Sequence, residues 1–326
     1  MDVNNQVVIN TYEGQDLSYF DLIQSLSCIE MTSTPLSGDA LIEMDVVDFG
    51  PLILIKRTNS CSSIEEIKFG PHTLAFQLPM ANSEAILNFL NLPGGDRYNP
   101  FQPSGAVSQW LIPENTPTYH VQADARWLKN VLGSQALKDY HELCRVDSRK
   151  AYDSSVLFAV AAATQHAMDV AKESTKSQIP ISASHLESMV TDILLPCIMS
   201  DLEEVKASTR QKILSRALDY IRDNHAKPIR LTELAGFVAT SGRNLQMVFK
   251  QELGVSPSRY IQQFRLHRFR HRLVNSSSVT EAAYNSGFKH LGRLTEQYAK
   301  VFNKYPSEDL LIESDFSLEI GLGFES

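Results

Sequence analysis

Cysteine is scarce in this chain and follows no pattern. Cys28, Cys61, Cys144 and Cys197 lie 33, 83 and 53 positions apart, so no CxxC or CxxH spacing exists for a zinc ribbon, a dithiol redox pair or a haem. All four read as ordinary thiols. Long apolar runs are missing too: the densest, Val156 to Ala163, has eight residues, where a membrane-spanning helix needs about 20. The opening MDVNNQVVIN has an acidic second residue and no basic cluster leading into an apolar stretch. No secretory signal is therefore expected, and the cytoplasm is the expected location. Catalytic signatures are absent as well. No GxSxG, HExxH or GxxxxGK[ST] occurs, and His72, His120, His141, His166 and His185 include no HxH pair, so neither an enzyme nor a metal or other cofactor is expected.

At 326 residues and 36.5 kDa the chain is about twice a usual single domain, which predicts two domains, each with its own core. Hydrophobic residues make up 43% and charged residues 21%, a folded composition and not a disordered one. A formal net charge of −8 with pI near 5.6 argues against nucleic acid when the chain is taken whole. The average conceals a division. Residues 209–310 hold 17 Lys plus Arg against 8 Asp plus Glu, a net of +9, and the remaining 13 basic and 30 acidic residues net −17. That asymmetry is expected of a nucleic-acid module fused to a part with another task, although a solvated basic face would carry the same charge.

The first 120 or so residues read as β. Apolar stretches at Ala40 to Val47, Leu52 to Lys56, Thr73 to Leu78 and Val107 to Ile112 are punctuated by turn chemistry at Gly38-Asp39, Phe49-Gly50-Pro51, Gly70-Pro71 and Pro93-Gly94-Gly95-Asp96, which suggests a sandwich or barrel. From Asp124 to about Val205 the period becomes helical, through Leu128, Val131, Leu132 and Ala136, the Ala-rich 159–171, and Leu186, Met189, Val190, Ile193 and Leu194. These helices are expected to pack on the barrel or on a second subunit. The polar stretch Ser200 to Gln211 reads as a linker, and everything beyond it as helix. Ile213, Leu214, Ala217, Leu218 and Ile221 form one stripe. A longer helix with Leu266, Phe269 and Leu273 starts near Gly254 and Pro257 and ends at the polar run Asn275 to Ser278.

The basic block contains an internal repeat. TELAGFVATSGRNLQMVFKQELGVSPS (232–258) is echoed by TEAAYNSGFKHLGRLTEQYAKVFNKYPS (280–307). Thr232, Glu233 and Ala235 return 48 positions later as Thr280, Glu281 and Ala283, whereas Leu245, Phe249, Pro257 and Ser258 return 49 later as Leu294, Tyr298, Pro306 and Ser307. The second copy therefore has one extra residue in its turn. Each copy parses as a short helix, a tight turn and a second helix, with Ser241 a candidate N-cap. Small Ala235 and Ala283 permit close helix approach. This is helix-turn-helix geometry, in which the second helix offers its outward N-terminal residues to the major groove.

Over roughly residues 210–310 the sequence resembles the AraC/XylS family of transcription regulators. The resemblance is carried by Leu234-Ala235, Ser241-x-Arg243-x-Leu245, Phe249, Gly254-x-Ser256-Pro257, Tyr260, Arg265-Leu266, Gly287-Phe288, Phe302 and Pro306-Ser307. Met247 and Glu296 stand where the family often has Arg, Leu294 where it usually has Phe, and Asn303 where it usually has Gly. The resemblance implies a two-domain α+β chain. Residues 1–205 would form a cupin-like β-barrel with packed helices for effector binding and dimerisation, 206–312 an all-α tandem helix-turn-helix, and 313–326 a tail. The expected partners are double-stranded DNA, a second copy of the chain, a small-molecule effector and RNA polymerase, with no membrane involved; the effector-binding residues are not legible.

Arg243, Gln246 and Met247 fall on one face of the first recognition helix. There Arg can chelate guanine, Gln can pair with adenine and Met can touch a thymine methyl. On the second, Arg293, Thr295 and Glu296 take the corresponding places, with a Glu296–Lys300 ion pair at i, i+4 as the plainer reading of Glu296. Ser241, Lys250, Ser256, His290 and Lys300 are candidate phosphate contacts or plain surface residues. Arg265 and Arg270 either bridge the two halves or touch DNA. A connecting helix that holds the recognition helices about 34 Å apart would read roughly 15 to 20 base pairs. The alternative is a constitutive DNA-binding or architectural protein whose N-terminal part only assembles partners; an apolar pocket with a few polar groups would favour the sensor, a barrel packed solid the alternative.

Overall fold

The computed structural model describes residues 7–16, 29–36, 41–69, 73–79, 97–98, 101–102, 107–143, 150–200, 203–204, 209–273, 276 and 278–310. The chain divides into two compact units, Met1–Lys212 and Ile213–Ser326. Among the described residues no helix is long and apolar enough to cross a membrane.

In the first unit, β1 (Val8–Asp16), β3 (Leu41–Asp48), β4 (Leu52–Asn59), β10 (Thr118–Asp124), β6 (Thr73–Pro79) and β8 (Phe101–Gln102) form one antiparallel sheet in that order. A second antiparallel sheet runs β2 (Ile29–Pro35), β5 (Ser63–Phe69) and β9 (Val107–Ile112), and a small third joins β12 (Glu203–Glu204), β11 (Lys150–Asp153) and β7 (Arg97–Tyr98). The expected β content is thus present, and the pairing among the described strands resolves it into three sheets.

Alternation along the strands separates two faces of the large sheet. Leu52 and Leu54, with Tyr119, Val121, Leu74, Phe76 and Leu78 beside them, face one way and are buried. Helix α2 (Ser154–Ser177) covers that face: its Gln165 Oε1 accepts from Lys56 Nζ (2.8 Å) and the Tyr119 hydroxyl (2.6 Å), and Lys172 pairs with Asp45 at 2.7 Å. The short connection 178–182 returns the chain into α3 (Ala183–Met199), which is capped by Ser182. Val160, Met168, Ala171, Val190 and Ile193 join the sheet's core, as does Leu128 of α1 (Ala125–Leu143).

The second unit begins within α4 (Thr209–Asn224), which buries the expected stripe Ile213, Leu214, Ala217, Leu218 and Ile221. Gln211, expected at the end of a linker, is already a buried residue of this helix. The repeat folds as the offsets required. Helices α5 (Leu231–Phe237) and α6 (Gly242–Leu253) are matched by α8 (Val279–Asn285) and α9 (Leu291–Phe302), equal in length pair by pair. The extra residue lengthens the second turn, 286–290 against 238–241. Between the pairs lies α7 (Pro257–Leu273), and α10 (Pro306–Asp309) closes the unit.

One half of α7 serves each pair. Tyr260 stands edge-on to Phe249 of α6 at 6.0 Å between ring centroids, and Phe269 edge-on to Tyr298 of α9 at 5.5 Å; all four are fully buried. Edge-to-face aromatic pairs contribute about 0.5–1.5 kcal/mol beyond the burial itself, so the repeated Phe249 and Tyr298 anchor both recognition helices to one strut. The same equivalence governs the helix ends. Gly254 after α6 and Asn303 after α9, 49 positions apart, both adopt left-handed φ of 71° and 52°, the terminating conformation that glycine takes freely and asparagine tolerates best among other residues.

Candidate nucleic-acid interface

The first recognition helix begins at Ser241, whose Oγ accepts from the Asn244 N–H at 3.1 Å. This bond satisfies one of the helix's orphan donors and fixes the rotation at which α6 emerges from the turn. With Leu245, Val248 and Phe249 fully buried, Arg243, Gln246 and Met247 are turned outward and exposed, Met247 at 47% despite its apolar side chain. Lys250 is exposed as well, but its ammonium donates to the carbonyl of Gly254 at 2.6 Å, an occupation the sequence did not suggest. Ser256 Oγ accepts from the Arg259 N–H at 3.3 Å and so caps α7.

On α9, Leu294, Tyr298 and Phe302 are buried, and His290, Arg293, Glu296 and Lys300 are exposed. The ion pair expected between Glu296 and Lys300 is not formed, so the carboxylate, three positions after Arg293, faces solvent without a basic partner among the described residues. Thr295 is half-buried, and its hydroxyl donates back to the Leu291 carbonyl at 2.9 Å. Its donor is thereby occupied inside the helix. His290 holds the N-cap position without a side-chain capping bond. Two exposed apolar residues at this end escaped the sequence reading: Leu291, the first residue of α9, and Tyr284 near the end of α8, at 78%. Their only sequence signal is that they break an otherwise polar outward face.

The pose of α9 is held from behind by a buried charge. Asp309, 3% exposed, accepts from Arg270 Nε at 2.8 Å and from the Tyr298 hydroxyl, while the Arg270 guanidinium lies 4.5 Å from the Phe302 ring centroid. Arg270 is therefore a structural bridge between α7, α9 and α10. No periodicity could have shown this, because Asp309 reads as a surface acid in PSED.

Polar chemistry is also buried in the first unit, between the two larger sheets. Glu65 of β5 accepts from Arg57 of β4 and, at 3.2 Å, from Gln77 of β6. Both members of the Arg57–Glu65 pair are fully buried. Register places Thr118 beside Arg57 and His120 beside Gln77, so one end of the inter-sheet space is polar while Val46, Ile55 and Ile67 line another part. Burial, reinforced by the nearby Arg57 charge, holds the His120 imidazole well below its usual value of 6.5 and keeps it neutral at pH 7.

Sequence comparison places these elements. A family model described as a helix-turn-helix domain matches residues 234–310. The XylDLEGF operon transcriptional activator 2 of Pseudomonas putida is 30% identical over 132 residues, 39% of this chain and 84% of its own length. The chain belongs to the AraC/XylS family. It spans less than half of the XylDLEGF operon transcriptional activator 1 of the same organism, 32% identical over 142 residues that make up 42% of this chain and 43% of the relative. A solved transcriptional regulator with an AraC-type DNA-binding domain, from Chromobacterium violaceum, is 30% identical and covers 32% of this chain and 95% of its own, with a TM-score of 0.31.

Within the AraC/XylS pattern the departures noted in the sequence sort by burial. Leu294 and Asn303, which replace Phe and Gly, sit in the core and at the αL helix end without disturbing either. Met247 and Glu296, which replace Arg, are both outward. Two of the departures thus fall in the scaffold and two on exposed positions of α6 and α9.

Proposed function

We propose that this chain is a sequence-specific transcription regulator that lays α6 and α9 into two successive major-groove segments of one DNA site. The observation that carries the reading is the duplicated unit itself. Two equivalent helices emerge from one scaffold, and each turns outward a side-chain set able to read base edges: Arg243, Gln246 and Met247 on α6, Arg293 and Glu296 on α9. Ser241, Lys250, Ser256, His290 and Lys300 would meet phosphates, and Thr295 would offer its methyl, its hydroxyl being engaged. RNA polymerase is the partner through which such a protein would act on transcription; that the relatives are named transcriptional activators supports a role in transcription.

The first unit is assigned effector sensing and dimerisation. The mixed polar and apolar space between its sheets supports sensing. Exposed Phe158 on α2, with Leu195 and Met199 on α3, supports association with a second copy, since apolar side chains left to solvent on helix faces mark interaction surfaces. One observation favours the second reading, an N-terminal unit that only assembles protein: Arg57 and Gln77 fill part of the inter-sheet space and both donate to Glu65.

Selection of bound duplexes from a random pool by the full-length protein tests the DNA reading. The expected result is a bipartite motif with affinity falling steeply with salt, by a logarithmic slope of about −0.9 per phosphate neutralised. No enrichment at low salt would end it. Native mass spectrometry of the protein purified from its host separates the two readings of the first unit, a retained small molecule supporting the sensor and its absence the assembly role.

A further inference from the structure

A tandem of recognition helices reads a two-part site only if the two parts are held at a fixed distance and twist. Contacts beside α7 add to the aromatic anchors that hold them. Arg265 Nε donates to the His225 carbonyl at 2.7 Å, and its second arm donates to the Lys227 carbonyl; both acceptors lie in the segment between α4 and α5 that leads into the first helix-turn-helix. Seven residues further along the same face of α7, Arg272 donates to the Asn285 carbonyl and, at 3.3 Å, to Ser286 Oγ, in the turn of the second. The two segments then meet directly. At Gly287, with φ of 82°, an added Cβ would stand 2.7 Å from the His225 carbonyl oxygen and 2.9 Å from the carbonyl carbon and oxygen of Ala226. One backbone touches the other there, with no room for a side chain.

Among the described residues the two guanidiniums meet only neutral acceptors. Burial lowers the pKa of both, and Arg268 between them lowers that of Arg272 further. A planar fork with five donors is the one side chain that can span two carbonyls in a fixed orientation.

We propose that Arg265 and Arg272 are positioning residues that clamp the two helix-turn-helix units in register across the Gly287 seam, and thereby set the spacing of the two DNA subsites. This rests on the reading that both α6 and α9 enter DNA. Loosening the clamp lowers the effective concentration of the second recognition helix once the first is bound; it leaves the chemistry of each helix untouched.

The test measures the full-length protein against a duplex series in which the two selected half-motifs are separated by their preferred spacing or by one or two base pairs more or fewer, and against a duplex carrying one half-motif. For Arg265→Met and Arg272→Met the expected result is a loss of about tenfold or more at the preferred spacing, a change of under about twofold on the single half-motif, and a flattened spacing profile. Arg265→Lys, which keeps the charge and a donor, should fall between and covers the event that the methionine variants do not fold. A spacing profile that keeps its wild-type shape in the variants, whatever the overall loss, overturns the clamp, because mere destabilisation lowers the active fraction equally for every duplex. A wild type that binds one and two half-motifs equally well overturns both the clamp and the reading beneath it.

Discussion

Replacing Asp309 with asparagine keeps the shape of the side chain behind α9 and removes its charge. The Arg270 side chain is 10% exposed and that of Asp309 3%, so the nearly dry guanidinium would lose the charge that Asp309 sets against it. Breaking a buried pair by removing one partner costs about 3–5 kcal/mol. The asparagine carbonyl can still accept one hydrogen bond, which returns about 1 kcal/mol, so the net destabilisation is expected at about 2–4 kcal/mol against a domain total of about 5–15 kcal/mol. Tryptophan fluorescence would not see it, because both tryptophans, Trp110 and Trp127, belong to the first unit. Hydrogen exchange on the full-length chain would. At about 1.4 kcal/mol per tenfold, the most protected amides of α9 should exchange roughly 30 to 700 times faster, with those of α2 unchanged as an internal control. The double change Arg270→Met, Asp309→Leu should recover most of the loss, since an apolar pair of similar volume replaces a buried ion pair at little cost. Acceleration below about threefold in α9 would mean that the charge is compensated by water or by another group, and the account of how α9 is held would be wrong.

Three further outcomes follow from particular side chains. Met247→Arg adds a bidentate donor at an exposed position and should shift preference at one base pair toward guanine by about 1–3 kcal/mol, whereas Arg243→Ala should relax a neighbouring position; an unchanged selected motif for Met247→Arg would show that residue 247 does not face the groove. Because His120 is held neutral well below 6.5 in the native state, the unfolded chain takes up a proton below pH 6.5 that the folded chain refuses, so the first unit should lose stability as pH falls from about 6.5, with a limiting slope of about 1.4 kcal/mol per pH unit. His120→Gln should flatten that slope in urea titrations followed by tryptophan fluorescence, and parallel slopes in both proteins would refute the assignment. Cys61 and Cys197 are buried, and burial pushes the Cys197 thiol up to about 12; both should resist alkylation in the native protein and react only on unfolding, as peptide mass spectrometry would report.

What the sequence determined by itself was the local and the repeated. The 48- and 49-residue offsets required an extra residue in the second turn, and 286–290 supplies it. Leu245, Phe249, Leu294 and Tyr298 fixed by their spacing which face of each recognition helix is buried, and therefore that Arg243, Gln246, Met247, Arg293 and Glu296 face outward. Ser241 could be read as a cap because capping involves only the next three residues. Only the tertiary structure decided where the charges went. Nothing local in SIEEIKF marks Glu65 as interior, yet it is buried because Arg57 and Gln77 meet it from the facing sheet. Glu296 and Lys300 had the right spacing for a pair and did not form one, since an exposed pair at that separation gains only a few tenths of a kcal/mol against the freedom of two long side chains. Arg265 finds its acceptors about 40 residues back along the chain, at His225 and Lys227, and Arg270 finds its own at Asp309. Propensity, period and capping are set by neighbours in sequence and can be read there. The partner that makes a buried charge tolerable is brought from a distance by the packing of the whole unit, and nothing in the surrounding sequence marks it.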